Sequence, residues 1–215
     1  MRNAKASGRK GREAEGTLFV ISAPSGAGKT TLCRRLLTHY PDIKLSVSYT
    51  TREPRKGEKN NIDYTFITKN KFMGMVAKKE FAEWAVVHGN LYGTSIQRLR
   101  KLNIAGYDIL LDIDTRGAMQ LKKNYRNAVF IFVLPPSFAA LKKRLSMRKT
   151  DSRDVITKRL DNAKAEIAYY YEYDYVIIND TLDKAYRELE SIIMSFRLKT
   201  GKIDAGWIQK HYNVN

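Results

Sequence analysis

Residues 17–31 read TLFVISAPSGAGKTT: an apolar run, a turn of Pro, Ser, Gly and Ala, then Lys29, Thr30 and Thr31 opening a helix-like stretch. Gly26 and Gly28 let the backbone curl with its N–H groups inward, and the helix that follows points its N-terminal partial positive charge at the same place. This chemistry suits a polyphosphate. The loop Ala23, Pro24, Ser25, Gly26, Ala27 and Gly28 would cradle it, Lys29 would reach its outer phosphates, and Thr30 would ligate Mg²⁺. The usual spacing, G-x-x-x-x-G-K-[ST], asks for Gly at position 23. Here it is Ala, which requires a backbone conformation there that a Cβ tolerates. Downstream, LLDID supplies carboxylates. Asp112 closes an apolar run and would hold Mg²⁺ through water, and Asp114, two residues on, points to the same side of an extended chain. The competing reading is that Asp112 merely ends a strand and Asp114 caps the next helix.

A second group lies between residues 48 and 94. Arg52 and Arg55 flank a turn stiffened by Pro54, and Tyr64 and Tyr92 carry hydroxyls, a set able to hold a phosphate dianion through charge-assisted hydrogen bonds. Glu83 stands among apolar neighbours in the same segment, and with the hydroxyls of Ser48 and Thr94 it suits guanine. Guanine offers N1–H and its 2-amino group to a carboxylate and O6 to a hydroxyl, whereas adenine would set a lone pair against that carboxylate.

The elements that position these residues alternate strand and helix. Strands are expected at 17–22, 44–49, 107–112, 128–134 and 173–179. Helices are expected at 28–39, from Thr115 to about Lys123, from Phe138 behind a Ser137 cap, up to about Tyr171, and over 182–197. Continuous apolar strands separated by helices imply an α/β fold, a parallel sheet covered on both faces. Residues 50–93 read as a polar, turn-rich insertion, and 199–215 as a tail that either packs on the body or frays.

With 215 residues, 43% of them hydrophobic, the chain can bury one substantial core. The single cysteine, Cys33, excludes an internal disulfide and fits a small packed residue in a reducing cytosol. The apolar stretch 128–134 is far shorter than the roughly 20 residues that cross a bilayer, so no membrane partner is expected and a cytoplasmic location is. The net charge is +17, of which residues 1–16, a basic flexible arm, carry only a part. The rest exceeds what a phosphate-handling site needs, so weak, salt-sensitive binding to nucleic acid stays open, though no obligate nucleic-acid partner is expected.

SAPSGAGKTTL, SVSYTTREPRKGExxxxDYxF, FAEWAxVxGNxYGTS, LDID, PPSxxxLKKRL and DYVIIND occur here in the order they take in the guanylate kinases, and over roughly residues 17–198 the chain resembles that family. The resemblance implies a P-loop kinase core at 17–49 and 94–198, a helical lid at about 144–166, an inserted GMP-binding subdomain at 50–93, and transfer of the ATP γ-phosphoryl group to GMP or dGMP with Mg²⁺. Carried over residue by residue, it assigns GMP contacts to Ser48, Arg52, Arg55, Tyr64, Glu83, Tyr92, Thr94 and Asp114. It assigns charge stabilisation to Lys29, Arg52, Arg144, Arg148 and Arg159, and an adenine contact to Asn179. Oligomeric state is left open. Three positions depart from the family pattern: Asn61 stands where Gly is common, Arg116 where Gln is usual, and the lid run RKTDS lacks a glycine.

Overall fold

Successive side chains of a strand face opposite ways, and in the first strand both sets are apolar, so both faces must be covered. The computed structural model describes residues 16–87, 89–147 and 153–213. Almost all of the basic arm, and Arg148, lie outside the described residues. In chain order the elements are β1 (Leu18–Ser22), α1 (Lys29–His39), β2 (Ile43–Leu45), β3 (Tyr49–Thr50), β4 (Thr65–Phe66), α2 (Lys69–Ala77), β5 (Phe81–Val87), β6 (Asn90–Ser95) and α3 (Ile96–Ile104). They continue with β7 (Asp108–Asp112), α4 (Thr115–Asn124), β8 (Val129–Leu134), α5 (Phe138–Ser146), α6 (Arg153–Ile167), β9 (Tyr175–Ile178), α7 (Leu182–Arg197) and α8 (Ala205–Tyr212).

The main sheet is parallel throughout, in the order β2-β7-β1-β8-β9. Phe19 and Ile21 face α1 and α7, packing with Leu32, Leu36, Leu189 and Ile193. Val20, between them in sequence, faces the other way, toward Leu99 of α3 and Leu121 of α4. The helices therefore lie on both faces, as the alternation of elements implies. Cys33 is buried in the first of these clusters as a free thiol. Because β1 and β7 pair with Ile21 opposite Asp112, the loop after β1 and the acidic end of β7 emerge side by side at the carboxyl edge, where open α/β sheets bind ligands.

The expected strand at 44–49 divides. Ile43–Leu45 joins the main sheet, whereas Tyr49–Thr50 belongs to a second, four-stranded sheet in the order β4-β3-β6-β5. The segment read as turn-rich thus contains mixed sheet and helix α2, closed around the buried Phe72 and its stacked neighbour Phe81. The expected long helix ends at Ile167 rather than near Tyr171, and a 3₁₀ turn over Tyr170–Glu172 leads into β9. Ser137 does cap α5, accepting from the Ala140 N–H at 3.0 Å. Helix α7 has the expected bounds, and the tail forms α8 with no buried residue.

At the opposite, amino edge of the sheet, Asp108 is fully buried and accepts from the Thr17 N–H and from Arg197 Nε, both at 2.7 Å. This ties the last turn of α7 to the starts of β1 and β7. Replacing Asp108 with Ala leaves a nearly buried guanidinium short of its main partner. We expect a loss of about 3 kcal/mol or more and a drop in Tm of roughly 10 °C, measured by thermal unfolding.

Candidate active site

The phosphate loop takes its shape from two glycines with positive φ, Gly26 at 93° and Gly28 at 94°. A Cβ at Gly28 would fall 2.4 Å from Asn179 Nδ2 as well as being strained. Ala23 is not among the positive-φ residues, which is why the loop dispenses with its usual first glycine. Asn179 is buried, and its Nδ2 donates to the Ala27 carbonyl at 2.7 Å. Arg144 donates to the Asn179 carbonyl at 2.8 Å and to that of Ala27 at 3.4 Å. Both residues thus brace the loop from behind.

Lys29, the first residue of α1, donates to the Ile113 carbonyl at 2.8 Å and pairs with Asp112 at 2.6 Å. Burial works against its charge, but Asp112 holds its pKa above the ordinary lysine value. Asp114 caps α4, accepting from the N–H groups of Arg116 and Gly117. The capping reading of Asp114 is therefore correct, and the residue also faces the cavity described next.

An open cavity of about 220 Å³ lies between the two sheets, lined at one end by Lys29, Asp112 and Asp114 and at the other by Ser48, Arg52, Arg55, Tyr64, Glu83 and Tyr92. Thr94 stands just behind it. The register of β5 against β6 sets Glu83 opposite Thr94, whose hydroxyl donates to Glu83 Oε1 at 2.5 Å. Glu83 is 4% exposed, and burial pushes its carboxyl up to about 7, with Asp114 adding to the rise and Thr94 opposing it. Arg52 Nε donates to the Tyr92 hydroxyl at 3.1 Å. Tyr64 sits edge-on to Tyr92 and under the Arg52 guanidinium. The structure does not bring Arg144, Arg159 or Asn179 to this cavity; Arg159 is half-buried on α6.

Three residues escaped the sequence reading. Glu58 accepts from Arg52 Nη2 through both carboxylate oxygens, at 2.9 and 3.0 Å, and from the Arg55 N–H at 2.7 Å, so it fixes the turn that presents both arginines. Burial alone would raise its pKa, but the bonds from Arg52 and Arg55 hold it below the usual range. Gly117 leaves room for Glu83, since a Cβ there would stand 2.3 Å from Glu83 Oε2. Glu166, on α6, lines a neighbouring cavity of about 270 Å³ together with Arg116 and Asp114; the Ser25 backbone donates to its carboxyl, and its Oε2 is buried with no hydrogen-bond partner among the described residues. Arg116 thus faces α6. Asn61 adopts φ 62°, and its Oδ1 accepts from the Thr65 hydroxyl at 2.9 Å, so this side chain meets the need usually met by glycine.

A glycine-turned loop with Lys29 at the carboxyl edge of a parallel sheet, joined through one cavity to arginine, tyrosine and carboxylate side chains, has the make-up of a P-loop kinase. Comparison with known proteins narrows this class. A family model described as Guanylate kinase matches residues 15–196. The guanylate kinases of Geobacter metallireducens and Geobacter sulfurreducens are 52% and 49% identical to this chain over 189 residues, covering 88% of it and 93% of each relative. The crystal structure of guanylate kinase from Anaplasma phagocytophilum aligns with a TM-score of 0.74 at 29% identity, over 95% of this chain and 99% of that one. The chain belongs to the guanylate kinase family.

Proposed function

We propose that the protein transfers the γ-phosphoryl group of ATP to GMP or dGMP, giving ADP and GDP or dGDP. The observation that carries this is the shared cavity, in which the Lys29–Asp112 pair and the Glu83, Arg52 and Tyr92 set face one space. Guanine donates N1–H and N2–H to Glu83, backed by Thr94, and accepts from Ser48. The acceptor phosphate meets Arg52, Arg55, Tyr64 and Tyr92. Its second pKa is about 6, so near neutral pH it is an anionic nucleophile and needs no catalytic base. One of its oxygens attacks the γ-phosphorus, the bond to the bridging oxygen breaks, and ADP leaves.

The barrier is electrostatic, because two anions must be brought into line. Lys29 and the loop N–H groups act from the donor side, and the arginines from the acceptor side. Arg148 and Arg159 are assigned to the same task from the lid. Arg144 keeps the loop in shape by its carbonyl contacts and adds its charge from behind. The exposed Thr30 hydroxyl and the Asp112 carboxylate fit Mg²⁺, which takes one or two protein ligands and completes its shell with phosphate oxygens and water. The described residues hold no group of three acidic, His or Cys side chains that would form an all-protein cage. Mg²⁺ bound there supplies charge neutralisation on the phosphates. No described helix is long and apolar enough to cross a membrane, and the one thiol is free. A cytoplasmic location is proposed from membership of the guanylate kinase family.

The test is ADP release with AMP, GMP, dGMP, CMP and UMP as acceptors. GMP and dGMP are expected to exceed AMP by two or more orders of magnitude in kcat/KM, since a buried carboxylate rejects adenine's N1 lone pair. Equal rates with AMP and GMP would sink the assignment.

A further inference from the structure

A cleft larger than the active-site cavity lies apart from it. It has a volume of about 1100 Å³ and lies at the amino edge of the main sheet, where β1, β7 and β8 begin. Its walls carry Arg100, Lys123, Arg126, Lys199 and Lys202, and one carboxylate, Asp174. That carboxylate is engaged by the Phe130 N–H at 2.8 Å. Arg100, Lys123 and Arg126 are exposed and form no ion pair among the described residues.

A structural explanation for these cations exists and is too small. Helices α3, α4 and α7 end at this edge, and basic residues there complement the helix dipoles. Each helix end amounts to about half a negative charge. Three such ends and Asp174 offset about 2.5 of the four positive charges of Arg100, Lys123, Arg126 and Lys199, leaving a concave wall of net positive potential. Aromatic and amide groups are interleaved with the cations. Tyr125 and Phe196 are half-buried in the wall, Lys199 lies 3.7 Å from the Phe196 ring centroid, and Asn103, Asn124 and Asn127 offer side-chain donors. The chain enters the cleft at Gly16, directly after a segment whose sequence carries five basic and two acidic residues.

We infer that this cleft binds single-stranded nucleic acid through its phosphate backbone, without sequence preference, independently of the nucleotide site. Arg100, Lys123 and Arg126, which form no ion pair among the described residues, stand beside amide donors and half-buried rings, an arrangement that matches a strand of phosphates, and the volume exceeds the needs of one mononucleotide. The site accounts for positive charge that phosphoryl transfer at the opposite edge leaves unused.

The experiment is fluorescence anisotropy of a labelled twelve-nucleotide oligouridylate with the full chain, titrated between 50 and 200 mM salt, with and without saturating GMP. With about four phosphates engaged, affinity is expected to fall by roughly 50-fold across that range, and GMP is expected to leave it unchanged. The triple variant Arg100→Glu, Lys123→Glu, Arg126→Glu should lose at least tenfold in affinity at 50 mM salt and show a much flatter salt dependence. Its GMP kinase activity should be unchanged, since none of the three lines the active-site cavity, and its Tm should fall by only a few degrees, the cost of setting carboxylates near helix C-terminal ends. Binding equal in wild type and variant would overturn the inference, because the oligonucleotide would then sit elsewhere. Displacement by GMP, or binding of inorganic polyphosphate in the cleft with no binding of the oligonucleotide, would overturn it as well.

Discussion

Lys29→Ala is expected to fold normally and to lose about two to three orders of magnitude in kcat. The ammonium sits at the head of α1 beside the loop and Asp112, and in the proposed reaction it meets the charge that develops during transfer. Removing one preorganised donor to developing charge costs about 10²–10³ in kcat. Lys29 adds little to the apolar core; its loss leaves Asp112 unpaired, but that carboxylate is about a quarter exposed and can be hydrated. Asp112 holds the Lys29 pKa above the ordinary value, so the ammonium stays charged through the neutral range and the wild-type kcat should show no titration from it there. Circular dichroism and steady-state kinetics on the same preparation check this. Near-normal turnover in a folded variant would mean that the loop is not the donor site.

How far the site was legible from sequence depends on how local each contact is. The loop, Lys29 and Asp112 stand in short apolar contexts whose strand and helix are fixed by neighbours, and helix α7 follows from an uninterrupted apolar periodicity. The second sheet was hidden for the opposite reason. Two of its strands have two residues each, β5 carries a register irregularity between Phe81 and Glu83, and β3 pairs with β6 some 40 residues on. Short, half-polar strands with remote partners look like turns. Glu58 escaped because its role exists only once Arg52 folds back over the turn. Gly117 left a clue: a glycine within a helix is disfavoured against alanine, by up to about 1 kcal/mol in an interior, and its place in the first turn of α4 needs a reason. The reason is the Glu83 carboxylate beside it.

Glu83→Gln is expected to reduce the preference for GMP over AMP by about two orders of magnitude while the protein stays folded. The amide keeps the volume and can still accept from Thr94, but it has one acceptor where guanine needs two, and it can donate to adenine's N1. The pH dependence gives the same test in the wild type. Burial holds the free carboxyl at about 7, whereas guanine's two donors require the ionised form. At pH 6 only about one site in ten is competent, so KM for GMP should be about tenfold higher at pH 6 than at pH 8. Protonation of the GMP phosphate itself, with a pKa near 6, accounts for about twofold of any change. For stability the sign runs the other way. A carboxyl with a raised pKa in the fold stabilises fully below its unfolded value of 4.5 and loses that contribution as pH rises through about 7. The Gln variant should therefore be at least as stable as wild type at pH 8, and its lost selectivity cannot be ascribed to unfolding. Gly117→Ala makes an independent case. It leaves every contact group chemically intact, favours the helix, and pushes the Glu83 carboxylate out of place by a steric clash at its flexible end. GMP efficiency should fall with no loss of Tm. If Gly117→Ala and Glu83→Gln both keep the wild-type GMP to AMP ratio and the pH dependence of KM, guanine is not read by Glu83.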